Sequence, residues 1–417
     1  MISQQSAEHR LVWLTCIRWF PVGVMFTSTI LLPAERGLSA LEIGTLLAIQ
    51  GFIVLGLELP SGALSDTIGR RPLLVTGGVL AVLASTLFLI ADEFWLFAVS
   101  FAIQGVFRAL ESWFVDTVHT HDPQADIARP LTRAGAALGV TIAFGALAGG
   151  LLVAWNPFAQ VSALALPVFV ATACYACYTA LSFSLVREPR RLGSGRPRRL
   201  KRLASALTAI PKATAGGLRL AAVSRVLRGL ILVEVFWALA MIGFETLTPL
   251  RLAELLPSER DAAALFGFAS AAAWLCFAAG SFVAGFASRR IGTAWVAILG
   301  RLLNGAFVVL MGLAAGASGV LLAYGLCYLT HGSSGPVHAT LLHRQADAST
   351  RATVLSLNSM ISGGAYSLGL LALTAFAEVQ SVSLAMIAAG GFSLIGALCY
   401  LPALTQERQA ARALRRQ

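Results

Sequence analysis

The feature that most constrains this chain is a series of apolar runs, each about twenty residues long and separated by short polar segments. A bilayer core is about 30 Å thick and a helix rises ~1.5 Å per residue, so runs of this length suit membrane-crossing helices. Twelve can be marked: 11–32, 40–61, 72–91, 94–117, 131–154 and 161–186, then 229–250, 262–287, 294–315, 318–341, 353–377 and 381–403. Composition agrees, since 57% of the 417 residues are hydrophobic and 12% are charged, about half the charged share of a soluble globular chain. The sequence therefore predicts an all-α membrane protein of twelve transmembrane helices. They fall into a six-helix bundle at 1–186, a basic linker at 187–228, a second six-helix bundle at 229–404 and a basic tail at 405–417. The first run lacks a small-residue cleavage site and reads as a retained helix, not a signal peptide.

A net charge of +11 would suit nucleic acid only if a polar surface displayed it. Here most Lys and Arg fall in the N-terminal segment, alternate loops, the linker and the tail. Only Arg36, Arg251 and Arg260 lie in the opposite loops, and Arg18, Arg108 and Arg301 lie within runs. Basic residues mark cytoplasmic loops, so both termini are expected inside and nucleic acid is excluded as a partner. The linker opens with Gly193, Gly195 and Pro197 in a flexible stretch. Beyond it Leu200, Leu203, Leu207 and Ile210 recur near helical spacing beside Arg198, Arg199, Lys201 and Arg202. A basic amphipathic helix on an anionic leaflet and a solvated loop both fit that pattern. All six cysteines lie in apolar runs, and Cys174 and Cys177 lack the setting of a redox motif, so neither a metal nor a redox cofactor is expected.

The two halves echo each other. Gly62, Ile68 and Gly69 match Gly285, Ile291 and Gly292; Arg18 and Glu234 each precede a proline (Pro33, Pro249) by fifteen residues; and Thr132-Arg133-Ala134 returns as Thr350-Arg351-Ala352. Such repetition is characteristic of transporters built from duplicated units.

Between the second and third runs stands GALSDTIGRR, with Gly62, Asp66, Gly69, Arg70 and Arg71. In that position it fits the GxxxDxxGRR pattern of the major facilitator superfamily, and with the six-plus-six layout the whole chain resembles that family. The resemblance implies two bundles with pseudo-two-fold symmetry, alternating access, and a cavity lined by the first, fourth, seventh and tenth helices. It also implies that this loop acts as a conformational latch, Asp66 meeting the other bundle in the outward-open state. The fifth run carries Gly145, Gly149 and Gly150, similar to the GPxxGG of drug and proton antiporters with Ala146 in place of the proline. Small residues at this spacing also serve plain close packing of helices. The family's RxxQG in the fourth run survives only as Gln104-Gly105, with Phe101 in the arginine position.

An ionisable group inside a span costs about 2.5–3.5 kcal/mol at the helix centre and is a functional candidate. The acids are Glu58, Glu111, Asp116, Glu234 and Glu245; the basic and polar partners are Arg18, Arg108, His331 and His338. Arg18 and Glu111 both lie ~10 Å from the cytoplasmic edge and can pair, either as a static network with Arg108 or as an exchanging site. Glu234 and Glu245, eleven residues apart, share a stripe of the seventh span. A carboxyl held from water without a basic partner can load and release a proton near neutral pH; pairing of one of them with Arg18 or a histidine is the alternative. His331 and His338, two turns apart, suit either a relay or helix contacts. Asp116 fits a cavity mouth or the surface, and Arg301, near the inner edge of its span, is expected to reach for the interface. Trp13, Trp19, Trp113, Trp237 and Trp274 serve as packing or as walls for an apolar or cationic compound.

The chain has no P-loop GxxxxGK[ST] and no HExxH, DxD or GxSxG set. A non-enzymatic, monomeric secondary transporter in a bacterial inner membrane is expected, using a proton gradient and no bound cofactor. Its cargo is expected to be small amphipathic compounds moving outward, with uptake of a sugar, amino acid or organic acid as the alternative.

Overall fold

The computed structural model describes residues 4–68, 70–105, 128–158, 160–185, 222, 224–346 and 350–414, with side chains left undescribed at 4–11, 58–68, 70, 128–136, 185, 351–352 and 414. The helices are α1 (Gln4–Met25), α2 (Leu31–Glu35), α3 (Ala40–Ile68), α4 (Arg70–Ile90), α5 (Phe94–Gln104), α6 (Ala128–Trp155) and α7 (Ala165–Leu185), then α8 (Arg225–Glu245), α9 (Leu247–Leu255), α10 (Glu259–Ile291), α11 (Thr293–Leu313), α12 (Ala317–His343), α13 (Arg351–Val379), α14 (Val382–Gly396) and α15 (Leu401–Leu414). Among the described residues nine helices are long and apolar enough to cross a membrane, and Val12–Met25 and Phe94–Gln104 are shorter apolar helices. The tenth predicted run corresponds to α12, a 27-residue helix made less apolar by His331, Ser333, Ser334 and His338. The fold is thus all-helical with the twelve-span layout. The 187–228 linker lies almost wholly outside the described residues.

The first and seventh runs do not end as single helices. A proline at position i cannot donate to the carbonyl of i−4 and its ring clashes there. Pro249 therefore frees the carbonyl of Glu245, where α8 stops, and α9 starts after Thr246. Pro33 sits likewise in the short α2, beyond a turn that closes α1.

Two units of dense internal contact divide the chain: Met1–Arg36, Phe52–Ile210 and Ala263–Ala271 form one, and Gly37–Gly51, Pro211–Ala262 and Ala272–Gln417 the other. In the first, α1 packs on α6 and α7, and α4 packs on α5 and α7. The approach of α1 and α6 depends on glycine. A Cβ on Gly145 would strike the Phe20 carbonyl, one on Gly149 the Val24 carbonyl, and one on Gly23 the Ile142 carbonyl. Ser28 Oγ donates to the Leu164 carbonyl at 2.7 Å, tying the end of α1 to the start of α7.

In the second unit α11 packs on α12 and α14, and α8 on α13 and α14. The amphipathic α15 covers the start of α11. Its Glu407 accepts from the backbone of Thr293 (3.2 Å) and Ala294 (3.0 Å) and pairs with Arg344 at 3.0 Å. Each unit also carries the same device at a helix C-terminus. Arg36, soon after Pro33, donates to carbonyls at the end of α4, including Leu89 at 2.8 Å, and Arg251, soon after Pro249, donates to Ala314 at the end of α11 at 3.0 Å. A cation on the exposed carbonyls of a helix C-terminus is favourable. Many large apolar side chains, Phe282, Trp95 and Leu322 among them, are exposed, as suits a lipid-facing surface.

Candidate functional site

Ser224 caps α8, its Oγ accepting from Leu227 N at 3.1 Å, and the helix then runs unbroken to Glu245. That continuity puts Glu234 and Trp237 on successive turns and Phe244-Glu245 two turns further on. Glu234 is 9% exposed, and its Oε1 lies 3.3 Å from Arg301 Nη2 and 3.6 Å from His338 Nε2. Three helices, α8, α11 and α12, meet there. His338 Nδ1 is 3.0 Å from the Tyr400 hydroxyl, and its Nε2 is 3.3 Å from Asn358 Oδ1. Of the two alternatives for the seventh span, Glu234 thus takes the paired one, with a histidine and with an arginine.

Arg301 corrects an expectation. It does not extend to the interface; it is 2% exposed, with its guanidinium carbon 3.6 Å from the centre of the Trp237 ring. A buried charge is tolerable only where a counter-charge and polar contacts replace water, and Glu234 and the indole face supply them. Its Nε and Nη1 are buried without a hydrogen-bond partner among the described residues. One turn further, Asn304 is fully buried and donates to the Cys327 carbonyl at 3.2 Å. Two strongly polar residues at i and i+3 inside an apolar helix were the signal available in the sequence.

His331 occupies different surroundings from His338. Its ring stacks on Trp237 (5.1 Å, 27°) and is met by Phe277 (5.1 Å), Phe244 (5.3 Å) and Tyr328 (5.7 Å). Trp274 packs against Phe277 and Tyr328 at 5.2 and 6.0 Å. Two glycines allow this closeness: a Cβ on Gly332 would strike the Phe277 carbonyl, and one on Gly280 the Leu329 carbonyl. Ser281 Oγ donates to the Gly332 carbonyl at 2.7 Å. Trp237 therefore touches both the ion cluster and the aromatic cluster.

Glu245 is half-buried and has no hydrogen bond or ion pair among the described residues. Tyr328, Cys327 and Tyr366 lie within electrostatic reach of its carboxylate. Thr246 Oγ1 and the Tyr366 hydroxyl, 3.4 Å apart, join the end of α8 to α13.

In the first unit Arg18 stands 5.7 Å from the Trp19 ring centre. Arg71 donates to the Phe183 carbonyl at 2.6 Å and stacks on the Phe183 ring at 4.6 Å. Gly145 and Gly149 lie at the contact with α1, and a Cβ on Gly150 would meet the Ala264 carbonyl and Gly267. Glu58, Gly62, Asp66 and Arg70 lie on α3 and α4 with side chains outside the described residues. Gly69, Arg108, Glu111, Trp113 and Asp116 lie outside them entirely. No group of three or more metal-ligating side chains occurs among the described residues.

An all-helical twelve-span fold with a buried ion cluster among its spans defines the class as a membrane transporter. Residues 11–273 match the family model of the Major Facilitator Superfamily, and the chain belongs to that superfamily. It is similar to the multidrug resistance protein MdtH of Shigella boydii serotype 4 (strain Sb227), 29% identical over 180 residues, covering 40% of this chain and 42% of the relative. The protein of the same name from Sodalis glossinidius (strain morsitans) is 35% identical over 72 residues, covering 17% and 18%. The chain thus spans less than half the length of these curated relatives. Among solved structures, a bacterial homolog of the human lysosomal transporter Spinster superposes with TM-score 0.74 at 15% identity, covering 97% of this chain and 98% of the other. The nucleoside transporter NupG superposes with TM-score 0.71 at 11% identity, covering 95% and 98%. At such identities these structures share the fold.

Proposed function

We propose that this transporter exports small amphipathic compounds by coupling them to a proton gradient. It works by alternating access in a bacterial inner membrane with both termini in the cytoplasm. The observation that carries the reading is Glu234, one buried carboxylate shared by Arg301 and His338. Protonating it removes the counter-ion of a buried guanidinium, a large electrostatic change in a site with little water. Loading and release of one proton there is therefore coupled to rearrangement of α8, α11 and α12. His338, linked to Tyr400 and Asn358, passes the proton. Export is favoured by the name of the MdtH relatives; nutrient uptake is the second reading, favoured by the nucleoside transporter among the structural neighbours.

Reconstitution with an imposed pH gradient tests the coupling. Glu234→Gln should lose gradient-driven transport and keep substrate exchange. The Glu234→Gln/Arg301→Gln pair, which leaves no buried charge, guards against a folding defect. Wild-type accumulation or expulsion by both variants would refute the assignment. Direction is read by comparing toxic-compound resistance in a sensitised host with radiolabelled nutrient uptake.

A further inference from the structure

An aromatic cluster on α8, α10 and α12 surrounds His331. Trp237, Phe244, Trp274, Phe277 and Tyr328 lie within 6.0 Å, ring to ring, of His331 or of one another. Two polar atoms in it are buried with no hydrogen-bond partner among the described residues: Trp274 Nε1, which can only donate, and His331 Nδ1. Buried polar groups are nearly always paired, and an orphan needs an explanation. At the edge of the cluster, next in chain to Phe244, stands Glu245, with no ion-pair partner among the described residues. Glu245, Trp274, Phe277 and His331 are each only partly buried, so the cluster has an accessible side.

We propose that this cluster is a substrate subsite for a flat aromatic amine or other aromatic cation that also carries a hydrogen-bond acceptor. The rings take the aromatic body, and cations are attracted to aromatic faces as well as to a carboxylate. Glu245 supplies the counter-charge, and Trp274 Nε1–H donates to the acceptor. The inference rests on the transporter reading above and divides the two acids of α8: Glu245 holds cargo, while Glu234, paired with Arg301 and His338, handles the proton. A neutral or anionic cargo would leave Glu245 uncompensated, so the site discriminates by charge.

Equilibrium binding to the full-length protein in detergent, with no gradient present, tests this separately from coupling. The fluorescent cation 6-methoxy-N-ethylquinolinium is compared with the neutral 2-methoxynaphthalene and with N-ethylquinolinium, which lacks the acceptor. The wild type should prefer the methoxy cation over the neutral probe by about tenfold or more. Glu245→Gln should abolish that preference, and Trp274→Phe should erase the advantage of the methoxy group. Equal binding of cation and neutral probe by the wild type, cation binding unchanged in Glu245→Gln, or no cation binding into the millimolar range would each overturn the proposal. Charge-selective binding without gradient-driven transport would keep the subsite and reject the coupling.

Discussion

The guanidinium of Arg301 stacks on the Trp237 indole at 3.6 Å while its Nη2 bonds Glu234 at 3.3 Å. One buried cation thus fastens an acid and an aromatic wall of the same helix to α11. Breaking a buried pair by removing one partner costs about 3–5 kcal/mol because the survivor is left uncompensated. Glu234→Ala should therefore lower the thermal melting point strongly. Adding Arg301→Gln should recover much of the loss, and additive losses in the double-mutant cycle would show that the two side chains do not act together.

Glu245 differs because among the described residues it has no partner to orphan. Glu245→Gln should melt within about 0.5 kcal/mol of the wild type, as substitutions outside the packed and paired features usually do. A large drop in melting temperature would mean that its carboxylate holds the fold together.

The crossing of α10 and α12 gives a third test with an internal control. Gly332→Ala and Gly280→Ala push a methyl into a facing carbonyl, whereas a Cβ at Gly285 or Gly335 would meet nothing within 4 Å. Overpacking typically costs about 1–3 kcal/mol. Alanine should thus destabilise at 332 and 280 and be neutral or slightly stabilising at 285 and 335, as read by melting in detergent.

Gly292 joins α10 to α11 with φ +94°, and its Cβ position would stand 3.0 Å from the Glu407 carboxylate. Gly292→Ala should cost about 1–3 kcal/mol from the backbone conformation alone. Glu407→Ala, which removes the acceptor at the α11 N-terminus, should cost about 1 kcal/mol. Protease sensitivity of the α15 segment, followed alongside melting, should rise in the Glu407 variant.

Asp66→Asn tests the loop motif. The second copy has Arg289 where the first has Asp66, so the two loops are not equivalent, and the substitution should weaken one closed state selectively. Cysteine probes on the cytoplasmic side should react at a changed rate, and equal labelling of variant and wild type would remove the latch role.

Much of the fold was legible in the chain itself. Twelve apolar runs, the placement of Arg and Lys, and GALSDTIGRR specify helices, spans and family, because a bilayer demands long apolar helices whatever their neighbours. Pro33 and Pro249 lie where helices break, but Pro21 and Pro336 sit inside unbroken helices, so a missing N–H marks a break only where the surrounding packing permits it. The site was legible only in part: Glu234, Glu245, His331 and His338 stand out as costly residues in apolar runs, but their partners do not. Arg301 near a span end has the sequence signature of a residue that snorkels, and only the meeting of α8, α11 and α12 makes it a buried counter-ion. In the same way two histidines on one helix are separated into an ion cluster and an aromatic one by the helices packed against them. The sequence by itself determined which segments enter the membrane and where charge is carried. Tertiary structure decided which charges are paired, because pairing depends on contacts between helices far apart in the chain.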